Sequence, residues 1–243
     1  EKPEKYYSVN VTGTLNVLQA SKFNNIKKFI YAASASCYGK SPQLPTNEKN
    51  KIDTEYPYAL TKNLGEKLVL HWEKVYNLNC SSFRFFNVYG PRSRTTGAYG
   101  AVFGVFLSQK INDKPLTIVG NGNQTRDFIY VSDLVRALVF AIKLSKSGEV
   151  YNLGSGRETS VNQIAKLISN KKTFIPKRPG EPLRSLADIS KAKKHLKWKP
   201  KVEIYEGVSM LLKKIKDWKK APVWTPKKIK KATKIWFQHL KKN

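Results

Sequence analysis

Short apolar segments alternate with segments of helical periodicity along this chain, and the alternation limits the folds it can adopt. The runs "KKFIYAAS" and "CSSFRFFNVYG" have the length and composition of buried strands. Between them, apolar residues recur at every fourth position from Leu60 to Trp72, and Pro57 suits the first turn of a helix. A strand, a helix and a second strand in this order predict an α/β fold with a parallel sheet.

The rest of the chain continues with mixed elements. A helix is predicted at residues 4–21 and another near 101–112. Further strands are predicted at "PLTIVG", "RDFIYV" and "EVYNLG", and further helices at "SDLVRALVFAIKLS" and "SVNQIAKLIS". The helix predicted at "SVNQIAKLIS" opens with a capping box formed by Ser160 and Gln163. Beyond Pro182 the chain is predicted to be helical to its end. This pattern indicates a smaller, mixed α/β lobe after the parallel sheet.

Length and charge restrict the class of protein. The chain has 243 residues, 40% of them hydrophobic, which is enough for one large domain or for a domain and a lobe. Its formal net charge is +28, from 45 basic and 17 acidic residues. Such a charge can indicate a nucleic-acid partner, but only 8 of the basic residues are arginines and the lysines are spread over every predicted helix. We therefore favour solvated lysine faces over a nucleic-acid interface.

Membrane and metal-binding classes are not favoured either. No run approaches the roughly 20 apolar residues of a membrane span, and the opening residues show no signal-peptide pattern. The two cysteines, Cys37 and Cys80, lack a metal-binding spacing. These features predict a cytoplasmic protein with free thiols, no metal and no membrane partner.

A tyrosine and a lysine at the start of the Pro57 helix are candidate catalytic residues. Tyr58 and Lys62 are four positions apart, so they lie on one face of the helix. Ser34 and Ser36 end the preceding strand, and open α/β sheets bind ligands at the carboxyl ends of their strands. Tyrosine is a weak base, but an ammonium group one turn away favours the phenolate. Such a tyrosine can take a proton from a sugar hydroxyl while hydride leaves the same carbon.

A glycine-containing turn in the second half is a weaker candidate. Gly154-Ser155-Gly156 resembles part of a dinucleotide-binding fingerprint. However, Thr159 occupies the third glycine position, and no acidic residue follows a strand about 20 residues later. We therefore predict a tight turn between a strand and a helix, without a role in binding.

Seven segments occur in one order along the chain: "VNVTGTLNVLQAS", "FIYAASASCYG", "YPYALTK", "FRFFNVYGPR", "GNGNQTRDFIYVSDLVRAL", "YNLGSG" and "RPGEPLRSLADISKAKKHLKWKP". Together they resemble the extended short-chain dehydrogenase/reductase family, and within it the NAD-dependent epimerase/dehydratase group, which includes UDP-sugar 4-epimerases. No single segment is specific, but the set covers almost the whole chain. The resemblance implies a Rossmann-type fold, NAD as cofactor and a nucleotide sugar as substrate. It also allows a homodimer for the full-length protein.

The resemblance further implies roles for individual residues. The catalytic residues would be Ser34, Tyr58 and Lys62, with the Ser34 hydroxyl bound to the reacting sugar oxygen and Tyr58 acting as acid and base. Lys62 would hold the nicotinamide ribose beside Tyr58, and Asn10 would lie next to the cofactor. Arginine forks suit phosphate oxygens. The residues implied to bind the substrate are Asn87, Arg126 and Arg178.

The chain departs from the family pattern at its beginning. The family starts with a strand, a glycine-rich turn and a helix that bind the NAD pyrophosphate. About 60–80 residues, or roughly two β-helix units, would be missing here. We therefore expect a truncated fragment that binds NAD weakly or not at all and does not fold stably alone. Residues 1–90 would be the C-terminal part of the Rossmann domain. Residues 91–243 would form mainly the nucleotide-sugar lobe, with short returns to the Rossmann domain and a helical tail.

The residues after Ser34 separate reactions within the family. Family dehydratases carry an Asp-Glu pair before the Tyr-Gly that follows the catalytic hydroxyl, and decarboxylases carry a Glu there. Here the segment is Ala35-Ser36-Cys37, without a carboxylate. This predicts a 4-epimerase that acts on a UDP-sugar through a 4-keto intermediate. A sugar-nucleotide 4,6-dehydratase or UDP-glucuronate decarboxylase is the nearest alternative. A non-catalytic, lysine-rich binding module is an alternative of another class.

Overall fold

The strands and helices of the chain alternate as the sequence pattern predicts. The computed structural model describes residues 3–41, 43–93, 95, 102–179 and 181–240. The strands are β1 (Phe29–Ser34), β2 (Cys80–Phe85), β3 (Asn87–Tyr89), β4 (Leu116–Val119), β5 (Thr125–Tyr130), β6 (Glu149–Leu153), β7 (Glu158–Ser160) and β8 (Lys172–Ile175). The α-helices are α1 (Pro3–Tyr7), α2 (Gly13–Phe23), α3 (Pro57–Tyr76), α4 (Val102–Ile111), α5 (Val131–Leu144), α6 (Val161–Ile168), α7 (Ser190–Leu196), α8 (Ile204–Lys213) and α9 (Pro226–Leu240).

Strands β1, β2 and β6 form a parallel sheet in the order β1-β2-β6. Helix α3 is the crossover between β1 and β2, as the strand-helix-strand pattern predicts. The register places Ser34 beside Phe85 and Phe85 beside Leu153, so the three strands end together. We call this end of the sheet the carboxyl edge. The arrangement confirms the predicted α/β fold with a Rossmann-type parallel sheet.

The predicted strand "CSSFRFFNVYG" is divided between two sheets. Residues up to Phe85 belong to the parallel sheet, and the Phe86 amide still donates to the Leu153 carbonyl at 2.9 Å. The next three residues form β3, which pairs with β5 in parallel instead of with β1 or β6. The prediction of one continuous strand was therefore wrong, because apolar composition does not reveal a change of pairing partner. The chain leaves the carboxyl edge at this point and enters the second region.

The second region contains two small sheets and most of the remaining helices. Strand β5 pairs with β3 in parallel and with β7 antiparallel, and β4 pairs with β8 in parallel. Strands β7 and β8 were not predicted, since one has three residues and the other is half exposed. Helix α4 begins at Val102, and the predicted start at 101 lies outside the described residues. Beyond Pro182 the helices α7, α8 and α9 are present, but the chain is not helical throughout: a non-helical segment separates α7 from α8, and a 3₁₀ helix, Ile215–Trp218, and a non-helical segment separate α8 from α9.

Three apolar clusters of described residues anchor these regions. The larger cluster against the parallel sheet includes Phe83, Tyr151 and Trp198, of which Trp198 donates its indole N–H to the Asp133 carbonyl at 3.0 Å. A smaller one packs α2 and α3 against β1 and the start of β2. The cluster of the second region is built around Tyr89 and other aromatic residues of α4 and β5. Aromatic side chains of this size supply much of the buried apolar area. Among the described residues, no helix is both long enough and apolar enough to cross a membrane.

Candidate active site

Ser34 lies at the carboxyl edge, where the sequence analysis placed it. It is the last residue of β1 and precedes a 3₁₀ turn at Ala35–Tyr38. Its hydroxyl oxygen accepts a hydrogen bond from the Ser36 amide at 3.2 Å, so the side chain caps the turn. Because Ser34 stands beside Phe85 in the sheet register, the hydroxyl is next to the end of β2. The turn therefore fixes this hydroxyl at the edge where α/β sheets bind ligands.

Tyr58 and Lys62 occupy the first two turns of α3. The helix begins as predicted, with Pro57 in its first turn after the extended residue Tyr56. The Lys62 ammonium group donates to the Ala32 carbonyl at 2.5 Å and lies 4.9 Å from the centre of the Tyr31 ring. Since Ala32 is two residues before Ser34, these contacts dock the lysine against the end of β1.

Partial burial and ring packing define the surroundings of Lys62 and Tyr58. Burial lowers the pKa of Lys62, because the charged form loses contact with water. A charge in such surroundings is less screened than one in bulk solvent. The Tyr58 ring contacts the Tyr6 ring edge to face, with ring centres 5.9 Å apart. The tyrosine therefore has a packed orientation as well as a cationic neighbour one turn away.

Asn10 contacts the beginning of α3 through a short chain of hydrogen bonds. It lies in a π-helical turn, Ser8–Thr12, that interrupts the helix predicted at 4–21. Its amide donates to the Thr61 hydroxyl at 3.0 Å, and that hydroxyl donates to the Tyr58 carbonyl at 3.1 Å. Turns of π-helix are frequently found at functional sites. The structure thus places Asn10 beside the helix that carries Tyr58 and Lys62.

A glycine in α3 makes this close packing feasible. A Cβ atom at Gly65 would lie 2.2 Å from the Tyr31 hydroxyl and 2.8 Å from the Asn10 carbonyl. Both distances are shorter than any normal contact of a Cβ atom. Any larger residue at position 65 would push α3 away from β1 and from the π-helical turn.

Arg126 and Arg178 come together around one carboxylate. Arg126 Nη2 is 3.9 Å from Glu181 Oε2, and Arg178 Nη1 is 3.2 Å from Glu181 Oε1. Both arginine side chains are 15% exposed, so neither is an ordinary surface ion pair. Burial lowers the pKa of Arg126, and the Glu181 carboxylate opposes that shift. The sequence analysis did not select Glu181, although its spacing of three residues from Arg178 was a usable signal.

Tyr56 directly precedes α3 and lies within electrostatic range of Arg126 and Glu181. Burial raises the pKa of Tyr56, and the neighbouring Tyr58 and Glu181 add to that rise. Its phenol therefore lies within electrostatic reach of both groups. The sequence analysis gave Tyr56 no role, because Tyr56 precedes the helix and its distance along the chain from Tyr58 and Lys62 forms no helical pattern with them.

Asn87 and the glycine turn lie where β6 and β5 approach each other. The Asn87 amide donates to the Asp127 carbonyl at 3.3 Å. The Asp127 carboxylate accepts hydrogen bonds from the Ser155 amide at 2.5 Å, the Ser155 hydroxyl at 2.7 Å and the Gly156 amide at 2.9 Å. The amides of the turn at Gly154 thus bind the internal carboxylate of Asp127, as turns of this kind bind external anions. The predicted tight turn is present, but the short strand β7, not a helix, follows it directly.

No group of side chains suited to holding a metal ion occurs among the residues that the structure describes. Cys37 and Cys80 are both free and buried. The predicted residues instead lie in two groups. One surrounds the end of β1 and the start of α3, with Ser34, Asn10, Tyr58 and Lys62. In the other, Arg126 and Arg178 meet at Glu181, and Asn87 contacts the backbone of Asp127. Asn87 follows Phe85, the sheet neighbour of Ser34, by two residues, so the groups border the same carboxyl edge.

Comparison with known proteins identifies the family. The model of the NAD dependent epimerase/dehydratase family matches residues 1–154. A UDP-glucuronate 4-epimerase of Thermodesulfobacterium geofontis is 36% identical over 239 residues, which cover 95% of this chain and 71% of that protein.

Solved structures of UDP-sugar 4-epimerases are also similar to this chain. The UDP-glucose 4-epimerase of Thermotoga maritima, solved with UDP-glucose, has a TM-score of 0.83 at 32% identity, covering 88% of this chain and 71% of that one. The UDP-glucuronic acid 4-epimerase of Bacillus cereus, solved with UDP-glucuronic acid and NAD, has a TM-score of 0.78 at 35% identity, covering 85% and 67%. Because the family model matches more than half of the chain and these relatives share its fold, the chain belongs to the NAD-dependent epimerase/dehydratase family.

Proposed function

We propose that the protein is an NAD-dependent nucleotide-sugar 4-epimerase that acts on a UDP-sugar. The observation that carries the proposal is the docking of Lys62 against the end of β1, two residues from Ser34 and one helical turn from Tyr58. A hydroxyl, a phenol and an ammonium group at one sheet edge suit proton transfer to and from an alcohol. The named activities of the similar proteins support the same reaction class.

Each residue of this group has a distinct task. The Ser34 hydroxyl binds the 4-oxygen of the sugar, and Tyr58 removes the proton from that oxygen. Lys62, one helical turn from Tyr58, holds the nicotinamide ribose beside that residue. When bound, NAD would supply a reversible hydride acceptor for C4, so the overall reaction would have no net redox change. After the 4-keto sugar has turned over, Tyr58 gives the proton back and the epimeric alcohol forms.

The described residues fit the nicotinamide end of the cofactor. The ammonium group of Lys62 has three N–H donors, and the Ala32 carbonyl uses one of them. The remaining N–H donors of Lys62 can bind ribose hydroxyls. Tyr58 lies in the first turn of the same helix, and Asn10 contacts that turn through Thr61. The turn at Gly154 does not suit the pyrophosphate, because the Asp127 carboxylate already accepts its amide hydrogens.

The arginine pair is the proposed binding site for the diphosphate of the UDP-sugar. Two guanidinium groups and the single carboxylate of Glu181 together carry a net positive charge. Forked donors of this kind bind phosphate oxygens in a bidentate manner. Asn87 borders the pair through Asp127 and would contact the same diphosphate. We further propose that residues 1–90 belong to the cofactor domain and residues 91–243 mainly to the nucleotide-sugar lobe. The protein would act in the cytoplasm, with a homodimer as its full-length form.

The 3₁₀ turn after Ser34 favours epimerisation over dehydration or decarboxylation. Its residues Ala35, Ser36 and Cys37 offer no carboxylate to expel water or to direct loss of carbon dioxide. Cys37 is 2% exposed and belongs to the apolar cluster of the parallel sheet, so it faces the core.

A product assay tests the proposal. The protein expressed from its complete reading frame is incubated separately with UDP-glucose, UDP-N-acetylglucosamine and UDP-glucuronate, and the products are separated by chromatography. We expect the C4 epimer of at least one substrate, without accumulation of NADH. A 4-keto-6-deoxy sugar would indicate a dehydratase, and a UDP-pentose with release of carbon dioxide would indicate a decarboxylase. No conversion of any of the three, with UDP still bound, would favour the binding-module alternative.

A further inference from the structure

A buried ion pair joins α3 to the neighbouring strand behind the candidate site. Glu66 follows Lys62 by one helical turn and Tyr58 by two turns, on the same side of α3. Arg84 on β2 binds both of its carboxylate oxygens, with Nη2 to Oε1 at 2.6 Å and Nε to Oε2 at 3.1 Å. The Ser82 hydroxyl also donates to Oε2 at 2.8 Å. Glu66 is 3% exposed and Arg84 is 5% exposed, so the pair is shielded from water.

The same guanidinium group reaches the turn that begins after Ser34. Arg84 Nη1 donates to the Tyr38 hydroxyl at 2.7 Å, and Tyr38 is the last residue of the 3₁₀ turn. That hydroxyl in turn donates to Asn152 Oδ1 on β6 at 2.8 Å. One side chain therefore connects the helix that carries Tyr58 with the turn capped by Ser34 and with the third strand of the sheet.

We propose that Arg84 and Glu66 are positioning residues that fix Tyr58 and Lys62 relative to Ser34. The inference rests on the proposed function, since it concerns the geometry of that reaction. A forked pair allows one register between α3 and β2, because any slide or rotation of the helix breaks both bonds and leaves a buried charge without its partner. Apolar packing alone adjusts to such shifts far more readily. Displacement of reacting groups by about 1 Å can lower a rate by about a hundredfold.

The physics of buried ion pairs allows positioning to be separated from folding. Removing one partner leaves an uncompensated charge and destabilises the protein, whereas replacing both by apolar residues of similar size is often neutral. The informative variant is therefore the double variant Glu66→Leu/Arg84→Met in the protein expressed from its complete reading frame. We expect it to fold with a melting temperature within a few degrees of wild type. Its kcat should fall at least about tenfold, while KM for the UDP-sugar changes less than about threefold.

Two further variants make the test specific. Arg84→Lys keeps the charge but loses the fork, so its kcat should lie between those of wild type and the double variant. Glu149→Leu/Lys191→Met removes an ion pair at 2.5 Å between β6 of the same sheet and α7, for which the described residues show no hydrogen bond or ion pair to α3 or the Ser34 turn. This control should keep the wild-type kcat. If the double variant folds and keeps the wild-type kcat, the proposal is overturned. If the double variant fails to fold, the kinetic test rests on Arg84→Lys, and a wild-type kcat in Arg84→Lys then overturns the proposal.

A structural readout separates this inference from the proposed function. If the wild-type protein epimerises none of the UDP-sugars, the proposed function fails, but the positioning role can still be measured. A crystal structure of Glu66→Leu/Arg84→Met, or of Arg84→Lys if the double variant does not fold, should show that the contact between Lys62 Nζ and the Ala32 carbonyl is lengthened or lost. An unchanged contact and an unchanged Ser34 turn would show that the ion pair positions neither.

Discussion

Two proposed parts of the site are held in place by different kinds of contact. They are the catalytic group at the carboxyl edge, formed by Ser34, Tyr58 and Lys62, and the arginine pair, formed by Arg126 and Arg178. Lys62 and Ser34 are fixed by hydrogen bonds to backbone atoms within the sheet and its turn. Arg126 and Arg178, by contrast, meet at the side chain of Glu181, which is 29% exposed. Backbone atoms of a packed sheet move little, whereas a partly exposed carboxylate can exchange partners. Under the proposed function, the catalytic group is thus ordered before substrate binds, whereas the arginine pair can rearrange around an anionic ligand.

This difference predicts where single substitutions act. Changes at the carboxyl edge should alter the chemical step and leave affinity nearly intact, because those residues are proposed to contact the reacting atoms. Changes at the arginine pair should alter affinity, because the proposed diphosphate would offset the charge there. The following experiments could break that division.

The largest effect is expected for Tyr58→Phe. Loss of the phenol hydroxyl removes the general acid and base, and such groups contribute about 10²–10⁴-fold to rates. We expect kcat to fall by that factor, while calorimetry shows nearly unchanged affinity for UDP. Tyr76→Phe, the same substitution at the exposed end of α3, serves as the control and should keep full activity. Wild-type turnover in Tyr58→Phe would remove Tyr58 as the catalyst.

The sequence marks the proposed catalytic residues more clearly than it marks the residues that support them. Local sequence signals mark these residues. Tyr58 and Lys62 are one helical turn apart, and Ser34 ends an apolar run. Glu66, Arg84 and Glu181 depend on which strands and loops come together, and such long-range contacts leave no periodic signal. The division between β2 and β3 was missed for the same reason, since the chain changes its pairing partner without a change in composition. Strand β8 was missed because its alternate residues are exposed and polar.

Thiol reactivity tests whether the carboxyl edge is as rigid as its contacts indicate. Burial raises the pKa of both Cys37 and Cys80 to about 12. At pH 8 the thiolate population is then about a thousandfold lower than for a thiol with the reference value, and only thiolates react with iodoacetamide. We expect no labelling of the native protein over minutes and labelling of both thiols in denaturant, as measured by intact mass. Rapid labelling of Cys37 alone would mean that the turn after Ser34 opens locally.

A smaller effect, on affinity, is expected for Arg126→Ala. Loss of one charge-assisted hydrogen bond to the diphosphate should weaken UDP binding by about 1.5–3 kcal/mol, or about ten- to a hundredfold. The kcat at saturating substrate should change little, because the catalytic group is untouched. Arg184→Ala is the matched control, since Arg184 is 59% exposed and pairs with Glu158. An unchanged UDP affinity in a folded Arg126→Ala protein would exclude the phosphate role. A loss confined to kcat would overturn the division between the two regions.

The smallest effect is expected for Ser160→Ala, which tests whether the second region can be weakened without disturbing the edge. The Ser160 hydroxyl accepts from the Gln163 amide at 3.1 Å, and the Gln163 side chain accepts from the Ser160 amide at 2.7 Å, as the predicted capping box requires. Loss of the hydroxyl should cost about 0.5–2 kcal/mol of unfolding free energy, or about 1–8 °C in melting temperature.

Lys166→Ala, an exposed substitution on the same helix, provides the control for Ser160→Ala and should stay within about 0.5 kcal/mol of wild type. Below the melting transition, kcat and UDP affinity of Ser160→Ala should equal those of wild type, because α6 contacts neither Lys62 nor Glu181 through any hydrogen bond of the described residues. A fall in kcat at such temperatures would mean that the helix end is coupled to the carboxyl edge. The independence of the two regions would then be wrong, even if each residue were correctly placed.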